Sequence, residues 1–322
     1  MKIPLIKYEG MENQKYFIFK VLLFILLVIL LDFGIGSILR YYYFRQHSGF
    51  LYRTTYAMDK TTADILILGA STANHQYDPE IFEKGLNMSC YNAGRDGSNI
   101  FYHYAILKAA LKRYSPKIII LEMRGELAKT TDSYDRLSML LPYYESHPEI
   151  RQIIKPKSPF EKIKMLSKIY PYNSMLFSIA VGNFKHNALR FNDNKGYLPL
   201  NRIWDEPLEM ISKPLYSQLD TNKIKTYESI IKECISANVK LYIVSSPNFY
   251  KTKYVENSDV KAKEIAEKYN IKFLDYSQDS VFLANSNYFV DIHHLNSSGA
   301  TVLSNRVVGE IERDYITAGK QH

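Results

Sequence analysis

Apolar residues along the chain form three patterns, and each predicts a different element. One long run, residues 21–39, is apolar throughout except for Asp32. At 1.5 Å rise per residue a helix of that length spans about 28 Å, close to a bilayer core. The second pattern is a set of short, mostly apolar runs, the first of them continuous and ending in glycine. These are 64–69, 88–91, 117–122, 239–244 and 271–274. Continuous rather than alternating runs predict parallel strands covered on both faces. The third is helical spacing between them. It is seen in 100–113, where Ile100, Tyr104, Leu107, Ala110 and Leu111 recur, and in 221–237 and 259–269. Asp78 before Pro79 predicts a capped helix start, and Ser297 predicts the cap of a last helix running to about residue 315. Strand and helix alternate, so the expected fold class is α/β: a doubly wound, flavodoxin-like, five-stranded parallel sheet flanked by helices.

Residues 128–219 interrupt that rhythm. Pro142, Pro148, Pro156, Pro159, Pro171, Pro199, Pro207 and Pro214 break them into short pieces. We read them as a mainly helical insertion after the third strand, acting as a lid or partner-docking element or as a structural appendage. Insertions there fall at the carboxyl edge of the sheet, where ligands bind. The expected organisation is an amino-terminal segment 1–20, a membrane helix 21–39, a connector 40–63, one domain from 64–127 plus 220–316, and the insertion 128–219.

Flanking residues bear on the membrane reading. Lys2, Lys7, Lys15 and Lys20 precede the long run, and Arg40 and Arg45 follow it. The excess leans towards a cytoplasmic amino terminus. Tyr41, Tyr42, Tyr43 and Phe44 read as an interfacial aromatic belt. A cleaved signal peptide is the alternative. The nearest candidate site, Gly34-Ile35-Gly36-Ser37, matches the small-residue pattern poorly. A retained single-pass anchor with the rest of the chain exported is therefore the expectation, a cytoplasmic catalytic part the alternative.

Composition changes this picture little. The chain has 322 residues, 46% of them apolar, enough for a substantial core. The net charge of +8 is dispersed, without the Lys/Arg block of a nucleic-acid arm. Cys90 and Cys234 cannot make a disulfide framework, no CxxC motif occurs, and Cys90 reads as a small buried residue. The 27 tyrosines suit strand propensity, or a surface that stacks on sugar rings.

Chemistry enters at two distant places. Gly69-Ala70-Ser71-Thr72 follows the first strand. A serine on such a turn exposes its hydroxyl and aims backbone N–H groups at one point, as a nucleophile and oxyanion hole require. Phosphate binding or close packing would use the same small residues. Near the other end, Asp291-Ile292-His293-His294-Leu295-Asn296 puts a carboxylate three residues before an imidazole. That spacing lets Asp291 orient His294 as a general base; a structural turn would use it too. Between them, Asn92-Ala93-Gly94 opens a glycine-rich turn whose Gly94 N–H is a candidate second oxyanion donor.

These blocks resemble the SGNH (GDSL-type) hydrolases over roughly residues 60–127 and 220–316. Gly69-Ala70-Ser71-Thr72, Asn92-Ala93-Gly94 and Asp291-Ile292-His293-His294 match three family blocks. The resemblance implies a Ser71, His294, Asp291 triad, with Asn92 and Gly94 at the oxyanion or substrate site. The family's third block, Gly-x-Asn, is absent. Glu122-Met123-Arg124 stands there, with Arg124 as a candidate cationic substitute. The pattern is similar to membrane-anchored members of the family that serve cell-envelope acylation in bacteria. It implies an inner-membrane, extracytoplasmic serine esterase or O-acyltransferase acting on acylated surface polysaccharide beside a membrane-bound O-acyltransferase. The alternative is a non-catalytic accessory protein of the same fold. No cofactor, metal or nucleic acid is expected. A metal site from His75, Asp291, His293 and His294 is disfavoured because adjacent histidines suit one metal poorly. A Rossmann site lacks GxGxxG, and an α/β-hydrolase elbow would want Gly where Ala73 stands.

Overall fold

The computed structural model describes residues 6–184, 194–213 and 216–319, with side chains from 13 to 317 within them. Its strands, in chain order, are β1 (Ile65–Leu68), β2 (Cys90–Asn92), β3 (Ile118–Glu122), β4 (Glu209–Ile211), β5 (Lys240–Ser245), β6 (Tyr250–Thr252) and β7 (Lys272–Asp275). Five of them form one parallel sheet in the order β2-β1-β3-β5-β7, and β4 pairs separately with β6. The expected doubly wound parallel fold is what the chain adopts.

Every residue of β1 and β3 is buried. Alternate side chains feed two cores. Leu66, Leu68, Ile119, Leu121, Leu241 and Ile243 enter one, and Ile65, Ile67, Ile118, Ile120, Tyr242 and Val244 the other. Helices must therefore cover both faces, which explains why the central strands β1 and β3 are almost continuously apolar.

The amino-terminal helices are α1 (Ile6–Phe44), α2 (Gly49–Asp59), α3 (Ser71–Gln76), α4 (Pro79–Leu86) and α5 (Ile100–Arg113). Helices α2 and α5 lie on the first face with the helix Thr221–Ser236, and α4 on the second with the final helix Ser297–Gly319. Asp78 caps α4 as expected, accepting from Glu80 N at 3.0 Å. The final helix differs from expectation. The side chain of Asn296, not Ser297, accepts its Gly299 N–H, at 3.1 Å. Both cysteines are buried and free.

Helix α1 is longer than the predicted span, and from Asn13 to Phe44 it is long and apolar enough to cross a membrane. Tyr41 and Tyr42 are exposed as a belt would be, but Tyr43 is fully buried and donates to Tyr143 Oη at 3.2 Å. The expected connector contains regular structure. Within it α2 buries Leu51, Ala57 and Met58.

The insertion is mainly short helical turns, with Leu137, Leu140, Leu141 and Tyr143 buried. Its end crosses the sheet edge as a strap. Asn92 N donates to Lys195 O (2.9 Å), Leu198 N to Asn74 O (3.0 Å), Trp204 N to Phe289 O (2.7 Å) and Ser297 N to Leu200 O (2.7 Å). Gly196 has φ +87°, and a Cβ there would fall 1.8 Å from Asn92 O. We therefore expect Gly196→Ala to lower stability by about 1–3 kcal/mol or more, from the left-handed backbone and the clash together. The check is the urea midpoint. An unchanged midpoint would mean that the strap does not contribute to the fold.

Candidate active site

Ser71 owes its position to what surrounds Gly69. A Cβ on Gly69 would lie 2.5 Å from Ala73 Cβ and 2.7 Å from Glu122 Cβ, so glycine alone lets α3 start this close to the end of β3. Ser71 is the first residue of α3. Its N–H has no intrahelical acceptor there, because the first N–H groups of a helix point outward. Its Oγ stands 2.8 Å from His294 Nε2.

His294 is set by Asp291. The carboxylate accepts from His293 N at 2.7 Å, from His294 N at 2.8 Å and from the His294 ring Nδ1 at 2.9 Å. Nδ1 faces a carboxylate and so carries the hydrogen, which leaves the Nε2 lone pair for the serine hydroxyl. Burial alone would raise the Asp291 pKa. The hydrogen bonds from His294 and from the two N–H groups outweigh it and hold the carboxyl well below its usual range.

Three anchors fix the loop. Phe249 N donates to Ile292 O at 2.9 Å, while His293 O accepts from Gln76 Nε2 at 3.0 Å and Arg124 Nη2 at 2.9 Å. The structure thus brings Ser71, His294 and Asp291 into one hydrogen-bonded line. His293 is exposed as a residue, yet desolvation of its ring and then the Arg124 charge lower its pKa to about 4.

The other expected site residues have different surroundings. Asn92 is buried, and its Nδ2 donates to Ala73 O (2.7 Å) and Tyr77 O (2.9 Å). Its Oδ1 accepts the Gly94 N–H at 2.9 Å, so that N–H is engaged inside the turn rather than offered to a substrate. Arg124 does stand beside the site. Its guanidinium clamps Pro247 O (2.7 Å) and His293 O, tying β3 to the Asp291–His294 loop.

Sequence reasoning missed a buried hub and a second imidazole–carboxylate pair. Glu122 is 1% exposed and accepts from Tyr77 Oη, Ser246 Oγ and, at 3.1 Å, Ser246 N. Burial, then the Glu122 charge, keeps the Tyr77 hydroxyl protonated by raising its pKa far above the ordinary value. His75 Nδ1 contacts Leu198 O at 2.7 Å, and its Nε2 lies 3.1 Å from Asp96 Oδ1. The His75 ring stands edge-on to His294, centroids 6.0 Å apart. The available signal was the spacing of Ser71 and His75, four residues apart on one helix and therefore on one face.

No protein-family model matches the chain, and no curated protein matches it. Among solved structures it is similar to a crystal structure described as a candidate acylhydrolase from Bacteroides fragilis NCTC 9343. That similarity has a TM-score of 0.39 and 12% identity, covering 78% of this chain and 86% of that one.

Asp259, beneath Arg124, gives a pH prediction. It accepts from Gly125 N at 2.8 Å, and burial raises its pKa from 3.8 to about 7. The folded state then holds a proton that the unfolded state releases, so this group's contribution to stability declines as pH rises from about 4 to about 7. Asp259→Asn keeps an acceptor for the Gly125 N–H and removes the titration. The variant should gain in Tm over the wild type progressively across that interval and then level off. A Tm difference that does not vary with pH would refute this.

Proposed function

We propose that the chain is a serine esterase or O-acyltransferase of SGNH type, acting on acyl esters of cell-surface polysaccharide. The observation that carries the reading is the continuous line from Ser71 Oγ through the His294 ring to Asp291. In this mechanism Ser71 Oγ attacks the acyl carbonyl while His294 Nε2 takes its proton. Asp291 holds the imidazole in the required tautomer and stabilises the cation that forms. The Ser71 N–H receives the developing oxyanion in this scheme. Collapse of the tetrahedral intermediate breaks the ester C–O bond, and His294 returns the proton to the departing alkoxide. The acyl group then sits on Ser71 as an ester. A second hydroxyl, deprotonated by His294, attacks it and regenerates Ser71. Water as that hydroxyl gives hydrolysis; a sugar hydroxyl gives transfer. The exposed apolar α1 favours a site held at a membrane, and the sequence resemblance favours an extracytoplasmic setting, polysaccharide as acceptor and a membrane-bound O-acyltransferase as partner.

One observation favours a second reading, a non-catalytic accessory protein. The Gly94 N–H is engaged by Asn92 and no third-block asparagine is present, so the oxyanion donors are few. A fluorophosphonate probe separates the two. On the enzyme reading the full-length protein labels, Ser71→Ala does not, and His293→Ala labels as the wild type does. Asp291→Asn should slow turnover of an acetyl ester by about 10²- to 10⁴-fold. A folded wild type that does not label, or a Ser71→Ala variant that labels equally, would remove the enzyme reading.

A further inference from the structure

The insertion meets α1 at an unexpected place. Asp32, the only charge in the predicted span, accepts from Ser167 Oγ at 2.5 Å and from Lys168 N at 2.7 Å. Four residues on, a Cβ at Gly36 would lie 2.4 Å from the Lys168 carbonyl carbon. The helix carries both the acceptor and the space for this turn, so the contact is built into the sequence of α1.

Depth follows from helix geometry. Nine residues separate Asp32 from Tyr41, about 13 Å along the axis. Half of a bilayer's hydrocarbon core is about 15 Å. If α1 crosses a bilayer with Tyr41 and Tyr42 at the interface, the turn at Ser167 and Lys168 lies below the surface. Moving the exit point back to Gly36 still leaves Asp32 about 6 Å inside.

The surface around this turn matches that depth. Phe160, Ile163 and Leu166, three residues apart, are 61%, 65% and 78% exposed, and Phe177, in the helix Leu176–Gly182, is 76% exposed. Several large apolar side chains this exposed in one short segment mark a contact with something apolar. The helix Leu176–Gly182 and the turn at Ser167 and Lys168 both pack against α1, whose own apolar surface is exposed. A groove of about 320 Å³ lined by Leu39, Tyr42, Leu176, Ile179 and Phe184 continues it. The backbone is prepared as well. Successive N–H groups of Ile163, Lys164, Met165, Leu166 and Ser167 are bonded within the turn, as immersion in lipid requires. Lys155 and Lys162 are exposed, as are Arg40 in the last turns of α1 and Arg45 just past its end. Cations at that level suit anionic headgroups.

We propose that residues 155–184 are a second, monotopic membrane element, embedded beside α1 in the leaflet where α1 emerges, with its lysines on anionic phospholipid headgroups. The inference rests on α1 lying in a bilayer and does not depend on the catalytic reading.

The test uses the full chain in vesicles of phosphatidylcholine with phosphatidylglycerol. Cys90 and Cys234 are buried, so a spin label can be directed to an introduced cysteine. Leu166→Cys and Phe177→Cys are compared with Leu26→Cys in α1 and Lys263→Cys on the sheet domain. We expect an oxygen-to-nickel-chelate accessibility ratio several-fold higher at 166 and 177 than at 263, approaching that at 26. A ratio at 166 and 177 equal to that at 263, with 26 still in lipid, overturns this inference alone. An aqueous label at 26 overturns it together with the membrane placement of α1. Labels at 166 and 177 shielded from both reagents until the protein is diluted in lipid would assign the face to a second copy instead. Changing Lys155, Lys157 and Lys162 together to Gln should abolish the greater depth at 166 in phosphatidylglycerol over phosphatidylcholine alone. Persistence of that difference would overturn the headgroup contact.

Discussion

Burial on both faces leaves a parallel sheet almost no place for polar side chains except the carboxyl ends of its strands. The whole candidate site follows from that constraint. β2 ends in Asn92, β3 in Glu122 and β5 in Ser245, all buried, and Ser71 lies just past β1. Polar groups at such depth must satisfy one another, because each one left without a partner costs about 1–3 kcal/mol. Glu122 holds Tyr77 and Ser246, Asn92 holds Ala73, Tyr77 and Gly94, and Asp259 holds Gly125. The result is a rigid floor under Ser71, on which a short helix can begin without a side-chain cap.

The same constraint accounts for what could be read from sequence. Short, mostly apolar runs identified all five strands of the sheet; the signal was cleanest for β1 and β3, buried on both faces and so without polar alternation. The Asp291-x-x-His294 spacing was legible because an Asx turn is local. Asp291 bonds to residues two and three positions on, and no distant partner is needed to orient the ring.

Residues whose role depends on distant partners were less legible. Asn92 and Gly94 read as offering donors to a substrate, but each satisfies the other inside the turn. Arg124 read as a charge for the oxyanion, while its geometry is that of a clamp between β3 and a loop near the carboxyl terminus. Glu122 read as a departure from a family pattern; its partners Tyr77 and Ser246 lie far from it in sequence. Tyr43 read as part of an interfacial belt, and its partner Tyr143 is 100 residues away. Asp32 is the clearest case. It interrupts an apolar run like a defect, and its partner Ser167 lies 135 residues further along the chain.

Asp32 also explains why the insertion has the shape it does. On the proposed placement of α1 in a bilayer, a carboxylate on that helix requires donors brought to it, and chain that descends beside the helix supplies them. The insertion's first part does this at Ser167 and Lys168. Its last part, the strap from 194, supplies Leu198 O to His75 and covers the turn that carries Ser71. One excursion of the chain therefore meets both a charge within an apolar helix and the sheet edge beside Ser71. On the proposed reading this has a mechanical consequence. The triad would not hang from the bilayer on a free tether, because the element that pairs Asp32 also leads into the wall of the site. An acyl donor or acceptor would then have to reach Ser71 at a height set by the protein, which favours substrates held at or near the membrane surface over those free in solution.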